Sequence, residues 1–204
     1  ELFAYLERAL AAVDAAGSGA DVLETSAAEL LRSWDRRADS GSRATTLALL
    51  TLYPLIQAHH DGRPEPDPRA SLRAAARLLT TRHGRLDPPW SWVNRMRRGA
   101  VAAGLDGAPD VLHAVEGPLE HARVAADSGD GLMFFVSFGK DGVRSESLHQ
   151  YGSATSRPAS PHYADQVPLF VAHQLKPVWL DEAEIRAHLE REYRPGEELD
   201  AAAR

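Results

Sequence analysis

The chain has 204 residues, of which 44% are hydrophobic and 25% charged, a composition that is ordinary for one large or two small globular domains. Its formal net charge of -6 disfavours a nucleic-acid-binding protein, and the absence of cysteine excludes disulfides, thiolate zinc sites and cysteine nucleophiles. No apolar run approaches the roughly 18 residues that a membrane-spanning helix needs.

The first part of the chain has the periodicity of amphipathic helices. A first helix is predicted to end at Gly17, because five apolar residues before it share one face: Leu2, Phe3, Leu6, Leu10 and Val13. A second helix is predicted from about residue 26 to 38, because Ser26 and Glu29 have the spacing of a capping box. An apolar stripe follows that box: Leu30, Leu31 and Trp34.

Two more helices are predicted before residue 84. The apolar residues between Leu47 and Ile56 indicate a third helix, which we expect to be interrupted or kinked at Pro54 because proline lacks the amide proton. The fourth is predicted to begin at Asp67 with Pro68 in the first position and to run to about residue 82, before Gly84.

In the second half of the chain the spacing of the hydrophobic residues is no longer that of helices. Residues 84–131 are rich in Gly, Pro and Asp, with short helical pieces expected in SWVNRMRR and PDVLHAV. Residues 132–151 predict a β-hairpin, since LMFFVSF is followed by a GKDG turn and an alternating segment. We expect Phe134, Val136 and Phe138 to face a sheet or helix layer. The remaining strands would come from the irregular middle of the chain or from outside it, and the second source is favoured.

The C-terminal part is predicted to be helical around one extended piece. HYADQVPLFVAHQ indicates a helix, KPVWL an extended segment, and Asp181 with Glu184 the start of a last helix to about Tyr193. The predicted fold class is therefore α+β. We divide the chain into a mainly helical segment with an irregular connector, 1–130, and a segment with the hairpin, a loop and C-terminal helices, 131–204.

Several side-chain groups could carry chemistry. The adjacent His59, His60 and Asp61 lack the spacing of two histidines around a glutamate that a zinc protease uses, so no metal site is predicted. Asp87 and Asp110 could form an acid/base pair, but solvated or capping carboxylates are the favoured interpretation.

Two further stretches remain open to a functional interpretation. The Arg-rich NRMRRG, beside two tryptophans, could grip an acidic partner, although ion pairing within the protein is favoured. The stretch YGSATSRPASPHYADQ, residues 151–166, contains the residue types of a Ser/His/Asp triad, but a triad is defined by spatial geometry, which local clustering does not supply.

Four segments in order along the chain resemble the penicillin acylase family: AAELLRSWDRRADSGSRATTL, HGRLDPPWSWVNRMRRG, QYGSATSRPASPHYADQVPLF and KPVWLDEAEIRAHLEREYRPGE. Their details are most similar to the branch of acyl-homoserine lactone acylases and aculeacin-type lipopeptide acylases. The positions that match the family motifs are expected to be structural: Trp34, Asp35, Trp90, Asn94, Gly152, Ser153, Ser160, Pro161, His162, Tyr163, Asp165 and Gln166.

The resemblance implies an N-terminal-nucleophile amidohydrolase with an αββα core, made as a precursor that cleaves itself and needs no cofactor. Its freed terminal serine would be both nucleophile and, through its α-amino group, base. Residue 1 is Glu, which has no hydroxyl, so no catalytic residue is assigned to this chain and its substrate-binding residues are unknown. The chain alone is predicted to be inactive, with the nucleophile and oxyanion groups upstream.

The resemblance also implies partners and a location. The partners would be the remainder of the catalytic subunit, the small subunit of the same precursor and a small acyl amide substrate, with no nucleic acid and no membrane span. The protein would be periplasmic or secreted. The alternative is a free-standing non-catalytic module that binds a partner or an acyl ligand. An upstream reading frame with a Gly-Ser cleavage site favours the acylase, and a start codon near Glu1 favours the module.

Internal Gly-Ser dipeptides do not replace an upstream processing site. Cleavage before Ser153 would leave 52 residues, too few for a two-sheet catalytic sandwich, and Ser18 and Ser42 begin predicted helical stretches rather than a strand. The sequence therefore predicts that residues 151–166 are a scaffold.

Overall fold

The computed structural model describes residues 1–109, 111, 113–120, 123–126, 128–189 and 192. Its contacts divide the chain into two compact units. The first unit comprises Glu1–Arg97 and Ala103–Gly129, and the second comprises Arg98–Ala102 and Asp130–Arg204. Both helices and strands are present, so the fold class is α+β, as predicted.

Helices form the larger part of the first unit. They are α1 Leu2–Ala16, α2 Val22–Arg32, α3 Ala44–His60, α4 Pro68–His83 and the single turn α5 Trp90–Val93. Their buried faces share one apolar core, whose fully buried members include Tyr5, Leu47, Leu55, Leu72 and Leu79. Burial of these apolar side chains is the main contribution to the stability of the helix bundle.

The fourth helix has the boundaries expected from its sequence. The Asp67 carboxylate accepts a hydrogen bond from the Ala70 amide at 2.6 Å, and Pro68 occupies the first helical position. Gly84 ends the helix in a left-handed conformation, with φ 66°, which costs glycine no Cβ clash.

The second helix begins earlier than predicted. Its capping box is formed by Asp21 and Glu24, each of whose carboxylates accepts the other's backbone amide, rather than by Ser26 and Glu29. The helix also ends at Arg32 rather than near residue 38. The predicted 26–38 range was therefore wrong at both ends.

The third helix continues through Pro54 instead of being interrupted there. Ten of its residues are buried, on both sides of the proline, so tertiary packing offsets the backbone hydrogen bond that proline cannot make.

Short strands follow the helices of the first unit. They are β1 Asn94–Arg98, β2 Val101–Gly104, β3 Val115–Glu116, β4 Leu119–Glu120, β5 Arg123–Ala126 and β6 Ser128–Gly129. One sheet has the order β2-β1-β5-β4, with β1 parallel to β5, and the other pairs β3 with β6. The helix predicted in SWVNRMRR was thus wrong after Val93. The piece predicted in PDVLHAV lies partly outside the described residues, and its last residue belongs to β3.

The predicted hairpin forms the centre of the second unit. β7 Leu132–Gly139 pairs antiparallel with β8 Gly142–His149, which also pairs with β9 Lys176–Val178. One further strand therefore comes from within the chain, although a source outside the chain is the one that the sequence favours. Phe134, Val136 and Phe138 are 53%, 42% and 81% exposed, so no layer of the described residues covers them, and their coverage by elements outside the chain stays a prediction.

Short helices complete the second unit. The segment predicted as one helix forms a 3-10 turn, Pro161–Tyr163, and the helix α6, Val167–Val171. The last helix, α7 Glu182–Ala187, is capped by the Asp181 carboxylate, as predicted, and its expected end at Tyr193 lies outside the described residues. Among the described residues, no helix combines the length and the apolar character that crossing a bilayer requires.

Candidate functional site

The stretch 151–166, which we call the 151–166 loop, is closed by its own backbone between β8 and α6. The Ala154 amide donates to the carbonyl of His162 at 3.1 Å, and the Gln166 amide donates to the carbonyl of Tyr151 at 3.2 Å. Gly152 lies between these bonds, where a Cβ would be only 2.3 Å from the His162 carbonyl oxygen. The backbone of the loop therefore approaches itself so closely at Gly152 that only glycine fits there.

His162 and Asp165 form a pair on the outer side of this loop. The imidazole Nδ1 lies 2.9 Å from Oδ2 of Asp165, and the two side chains are 53% and 37% exposed. The Ser160 hydroxyl accepts the His162 backbone amide at 3.2 Å, with Pro161 in the first position of the 3-10 turn. Local backbone geometry thus brings the histidine and the carboxylate together.

The pair has no serine nucleophile. In the described part of the chain, no serine hydroxyl makes a hydrogen bond to the His162 imidazole, and Ser153 is exposed. A serine hydrolase of the triad type needs its hydroxyl within hydrogen-bond reach of the base, at roughly 2.6 to 3.2 Å. The geometry therefore contains two members of a triad without the third.

Gln166 and Tyr163 connect the loop to its surroundings within the second unit. The buried Gln166 side chain accepts the His149 amide at 2.9 Å, which joins the start of α6 to β8. The guanidinium carbon of Arg98 lies 4.0 Å from the ring centroid of Tyr163 and 4.8 Å from the ring centroid of Tyr151.

Arg98 is a residue whose role the sequence analysis missed. Besides the two rings, its Nη2 donates to the Thr155 carbonyl at 2.7 Å, so one cation contacts the loop at three points. Cation-π contacts of this kind contribute roughly 0.5 to 2 kcal/mol each, depending on exposure. The only signal in the sequence is an arginine before Gly99, because the residues it contacts lie more than fifty positions along the chain.

The Trp34-Asp35 motif forms a turn after α2 in the first unit. The Trp34 indole N–H donates to the Arg37 carbonyl at 3.0 Å and to the Thr45 hydroxyl at 2.7 Å. The Asp35 carboxylate accepts the Arg37 amide at 3.0 Å. Both motif residues thus organise the connection from α2 to α3.

Trp90 and Asn94 anchor the start of the sheet in the same unit. The buried Trp90 donates its indole N–H to the Gly107 carbonyl at 2.8 Å, and the buried Asn94 donates its amide to the Asp106 carbonyl at 2.9 Å. The Trp90 backbone amide also donates to the Ser42 carbonyl at 2.9 Å. The two side chains therefore hold the segment after β2 against α5 and β1. The Trp90 backbone amide holds the loop before α3 against α5.

The other candidates from the sequence have separate partners. Nε2 of His59 lies 3.5 Å from a Glu1 carboxylate oxygen, and Asp61 pairs with Arg63 at 2.7 Å, so these groups do not converge on one ion. Asp110 lies outside the described residues.

Asp87 is held in its ionised form by two arginines. Hydrogen bonds from Arg85, the largest effect, and from Arg43 together lower the pKa of Asp87 to about 2, against the opposing effect of partial burial. Such a carboxylate is poorly matched to acid/base catalysis near neutral pH.

One protein-family model matches most of the chain. The family model described as penicillin amidase matches residues 2–187. The acyl-homoserine lactone acylase PvdQ of Pseudomonas fluorescens is 28% identical over 123 residues, which cover 58% of this chain and 16% of that protein. Among solved structures, a thermostable penicillin G acylase from Alcaligenes faecalis aligns over 93% of this chain and 46% of its own, with 12% identity and a TM-score of 0.42. The chain thus spans less than half the length of these relatives.

Proposed function

Because the chain belongs to the penicillin amidase family, we propose that it is the C-terminal part of the large subunit of an acylase that hydrolyses the amide bond of an acylated amine. The observation that carries this proposal is the family match over residues 2–187. The described residues add that the one serine-rich, histidine-containing loop has no nucleophile at its histidine.

The proposed reaction uses a serine outside this chain. A serine freed at the N-terminus of the large subunit has an α-amino group whose intrinsic pKa is about 7.7 to 8.0, so this amine can accept the hydroxyl proton near neutral pH. The serine oxygen attacks the amide carbonyl, and hydrogen-bond donors stabilise the oxyanion. The amine leaves with a proton, and water then hydrolyses the acyl-serine ester to release the carboxylic acid.

Within this proposal, the residues of this chain act as scaffold. The Trp34 turn, the Trp90 and Asn94 anchors and the closed 151–166 loop each make hydrogen bonds to the backbone of their own unit, and Trp34 also donates to the Thr45 hydroxyl. Such bonds fix the course of the chain and leave few groups available for a substrate.

The second unit supports the proposal that the remainder of the catalytic subunit packs on this chain. β7 is one of the two edge strands of the three-stranded sheet, and its Phe134 and Phe135, which point to opposite faces, are 53% and 56% exposed. A long apolar edge strand exposed on both faces is an aggregation hazard unless further chain covers it. We therefore propose that strands from the rest of the precursor extend this sheet beside β7, with its small subunit completing the enzyme.

The substrate and the location are the finer parts of the proposal. The substrate class is an acyl-homoserine lactone, an acylated lipopeptide or a penicillin-type amide, and the name of the Pseudomonas relative supports the first. Membership of the family favours a periplasmic or secreted enzyme. Cleavage of an acyl-homoserine lactone would make the enzyme a quorum-quenching enzyme, and cleavage of a penicillin-type amide would place it in antibiotic metabolism.

The proposed function is tested with the self-cleaved full-length protein. We expect it to hydrolyse at least one of a long-chain acyl-homoserine lactone, a lipopeptide amide and a phenylacetyl amide, with release of the free amine measured directly. Ser153→Ala should retain this activity, whereas replacing the terminal serine of the large subunit should abolish it. A correctly processed protein that cleaves none of the amides would favour the non-catalytic binding module, and loss of activity in Ser153→Ala would contradict the scaffold assignment.

A further inference from the structure

The first unit contains a cavity of about 400 Å³ between α3 and the small strands β3 and β6. This volume lies within the range of roughly 300 to 1,000 Å³ that is typical of small-molecule sites. Leu49, Tyr53 and Ile56 form one wall, and their spacing of four and three residues places them on one face of α3. The buried Trp90 and Val124 also line it, so most of its surface is apolar.

Hydrogen bonds hold the walls of this cavity in place. The Tyr53 hydroxyl donates to the Gly117 carbonyl at 3.2 Å and accepts the Leu119 amide at 2.9 Å, which fixes the turn between β3 and β4 against α3. Gly117 packs so tightly on β5 that a Cβ there would lie 1.8 Å from the Ala125 carbonyl oxygen. The cavity is therefore preformed, and a ligand would not have to order its walls.

The polar groups that line the cavity favour a positive charge. Glu116 on β3 is exposed, and among the described residues no arginine, lysine or histidine lies within ion-pair distance of its carboxylate. Gln57 and His60 come from the last turn of α3, where the helix dipole adds partial negative charge. Among the described residues that line the cavity, none is arginine or lysine.

We infer that this cavity binds a small organic amine, with an aliphatic or aromatic body against α3, Trp90 and Val124 and its ammonium group towards Glu116. A carboxylate of the same size would be repelled by Glu116 and by the end of α3. An uncharged molecule would bury the same apolar area without the ion pair, and should bind more weakly than the amine.

The test uses isothermal titration of the full-length protein with octylamine, 1-octanol and octanoate at neutral pH. We expect the order of affinity to be octylamine, octanol, octanoate. Glu116→Gln should weaken octylamine binding about twofold to fivefold while leaving octanol unchanged, because one ion pair near the surface contributes up to roughly 1 kcal/mol. Glu29→Gln, an exposed glutamate on α2 that does not line the cavity, is the matched control and should change nothing.

A second variant locates the binding site. Leu49→Trp, checked for native folding by circular dichroism, should fill the cavity and remove octylamine binding. Binding that is lost in folded Leu49→Trp is assigned to this cavity, so octanoate held at the acyl site of the proposed acylase is not counted. The inference is overturned if octanoate binds the cavity as tightly as octylamine, or if folded Glu116→Gln binds octylamine like the wild type. It is also overturned if octylamine binding survives unchanged in folded Leu49→Trp, as it would at a catalytic site elsewhere, and none of these results bears on the acylase activity.

Discussion

Replacing Glu24 tests how the helices of the first unit are held together. This glutamate is 1% exposed, and its carboxylate accepts hydrogen bonds from the Asp21 amide, from Arg69 and from Arg73, at distances of 2.8 to 3.0 Å. It therefore caps α2 and joins it to two arginines of α4. The perturbation we consider is Glu24→Gln, which keeps the shape of the side chain and removes its charge.

The magnitude follows from the electrostatics of this cluster. Hydrogen bonding from Arg69 is the largest effect and, with the Asp21 amide and Arg73, lowers the pKa of Glu24 from 4.5 to about 2 despite burial. At about 1.4 kcal/mol per pKa unit, the folded state favours the ionised form by roughly 3.5 kcal/mol. The side chains of Arg69 and Arg73 are 26% and 40% exposed, so water compensates part of the loss. We expect Glu24→Gln to lower the free energy of unfolding by about 2 to 3 kcal/mol.

Native-state hydrogen exchange of peptides from α2 and α4 in the full-length protein measures this change locally. Glu29→Gln, an exposed glutamate of the same helix, is the control and should change the opening free energy by less than about 0.5 kcal/mol. The folded-state pKa of Glu24 is depressed, so its contribution is present above pH 4.5 and is lost as the pH falls towards 2. After correction for intrinsic exchange rates, the difference between wild type and Glu24→Gln should fall by about half or more from pH 6 to pH 3. An unchanged opening free energy, or a difference independent of pH, would refute the reasoning.

Three further substitutions test the geometry of both units. Gly152→Ala should destabilise the second unit by more than about 2 kcal/mol in thermal unfolding, because its Cβ would lie 2.3 Å from the His162 carbonyl oxygen, and a neutral effect would contradict the closed loop. His162→Ala should change stability by less than about 1 kcal/mol and amide turnover per folded molecule by less than about tenfold, because its pair with Asp165 is exposed, and a thousandfold loss of turnover would reveal a catalytic role. Tyr5→Phe should cost about 1 kcal/mol in urea unfolding, because its hydroxyl forms a buried 2.8 Å hydrogen bond with Ser71, and unaltered stability would show that this bond contributes nothing.

Local signals in the sequence predicted the elements whose ends are determined locally. Asp67, Pro68 and Gly84 each act within one turn of α4, and the alternating residues around the GKDG turn pair with each other in β7 and β8. Both elements formed where the pattern predicted them. Such signals are reliable because the interactions they reflect lie close together in the chain.

Elements determined by distant contacts were predicted less well. Two pairs have capping-box spacing: Asp21 with Glu24, and Ser26 with Glu29. The helix begins at the first pair, whose Glu24 also forms an ion pair with Arg69, 45 positions away. The role of Arg98 depends in the same way on Thr155, 57 positions away. A single sequence does not show which of these distant residues meet in the fold.

The candidate site was predictable only as a motif. The residue types of the 151–166 loop identified the family, and local geometry brought His162 to Asp165. Whether a serine would join them was a question of three-dimensional geometry, which the sequence does not contain. The distance from base to nucleophile, rather than the clustering of residue types, is what distinguishes a scaffold from a triad.

The most direct test of the central claim, that this chain supports catalysis without supplying the nucleophile, is to map the residue that becomes covalently acylated. The self-cleaved full-length protein is treated with a serine-directed sulfonyl fluoride until amide hydrolysis stops, and the modified peptide is identified by mass spectrometry. We expect one adduct, on the N-terminal serine of the large subunit, outside the 204 residues of this chain. An adduct on Ser153, or on any other serine of this chain, that forms in parallel with the loss of activity would contradict the account.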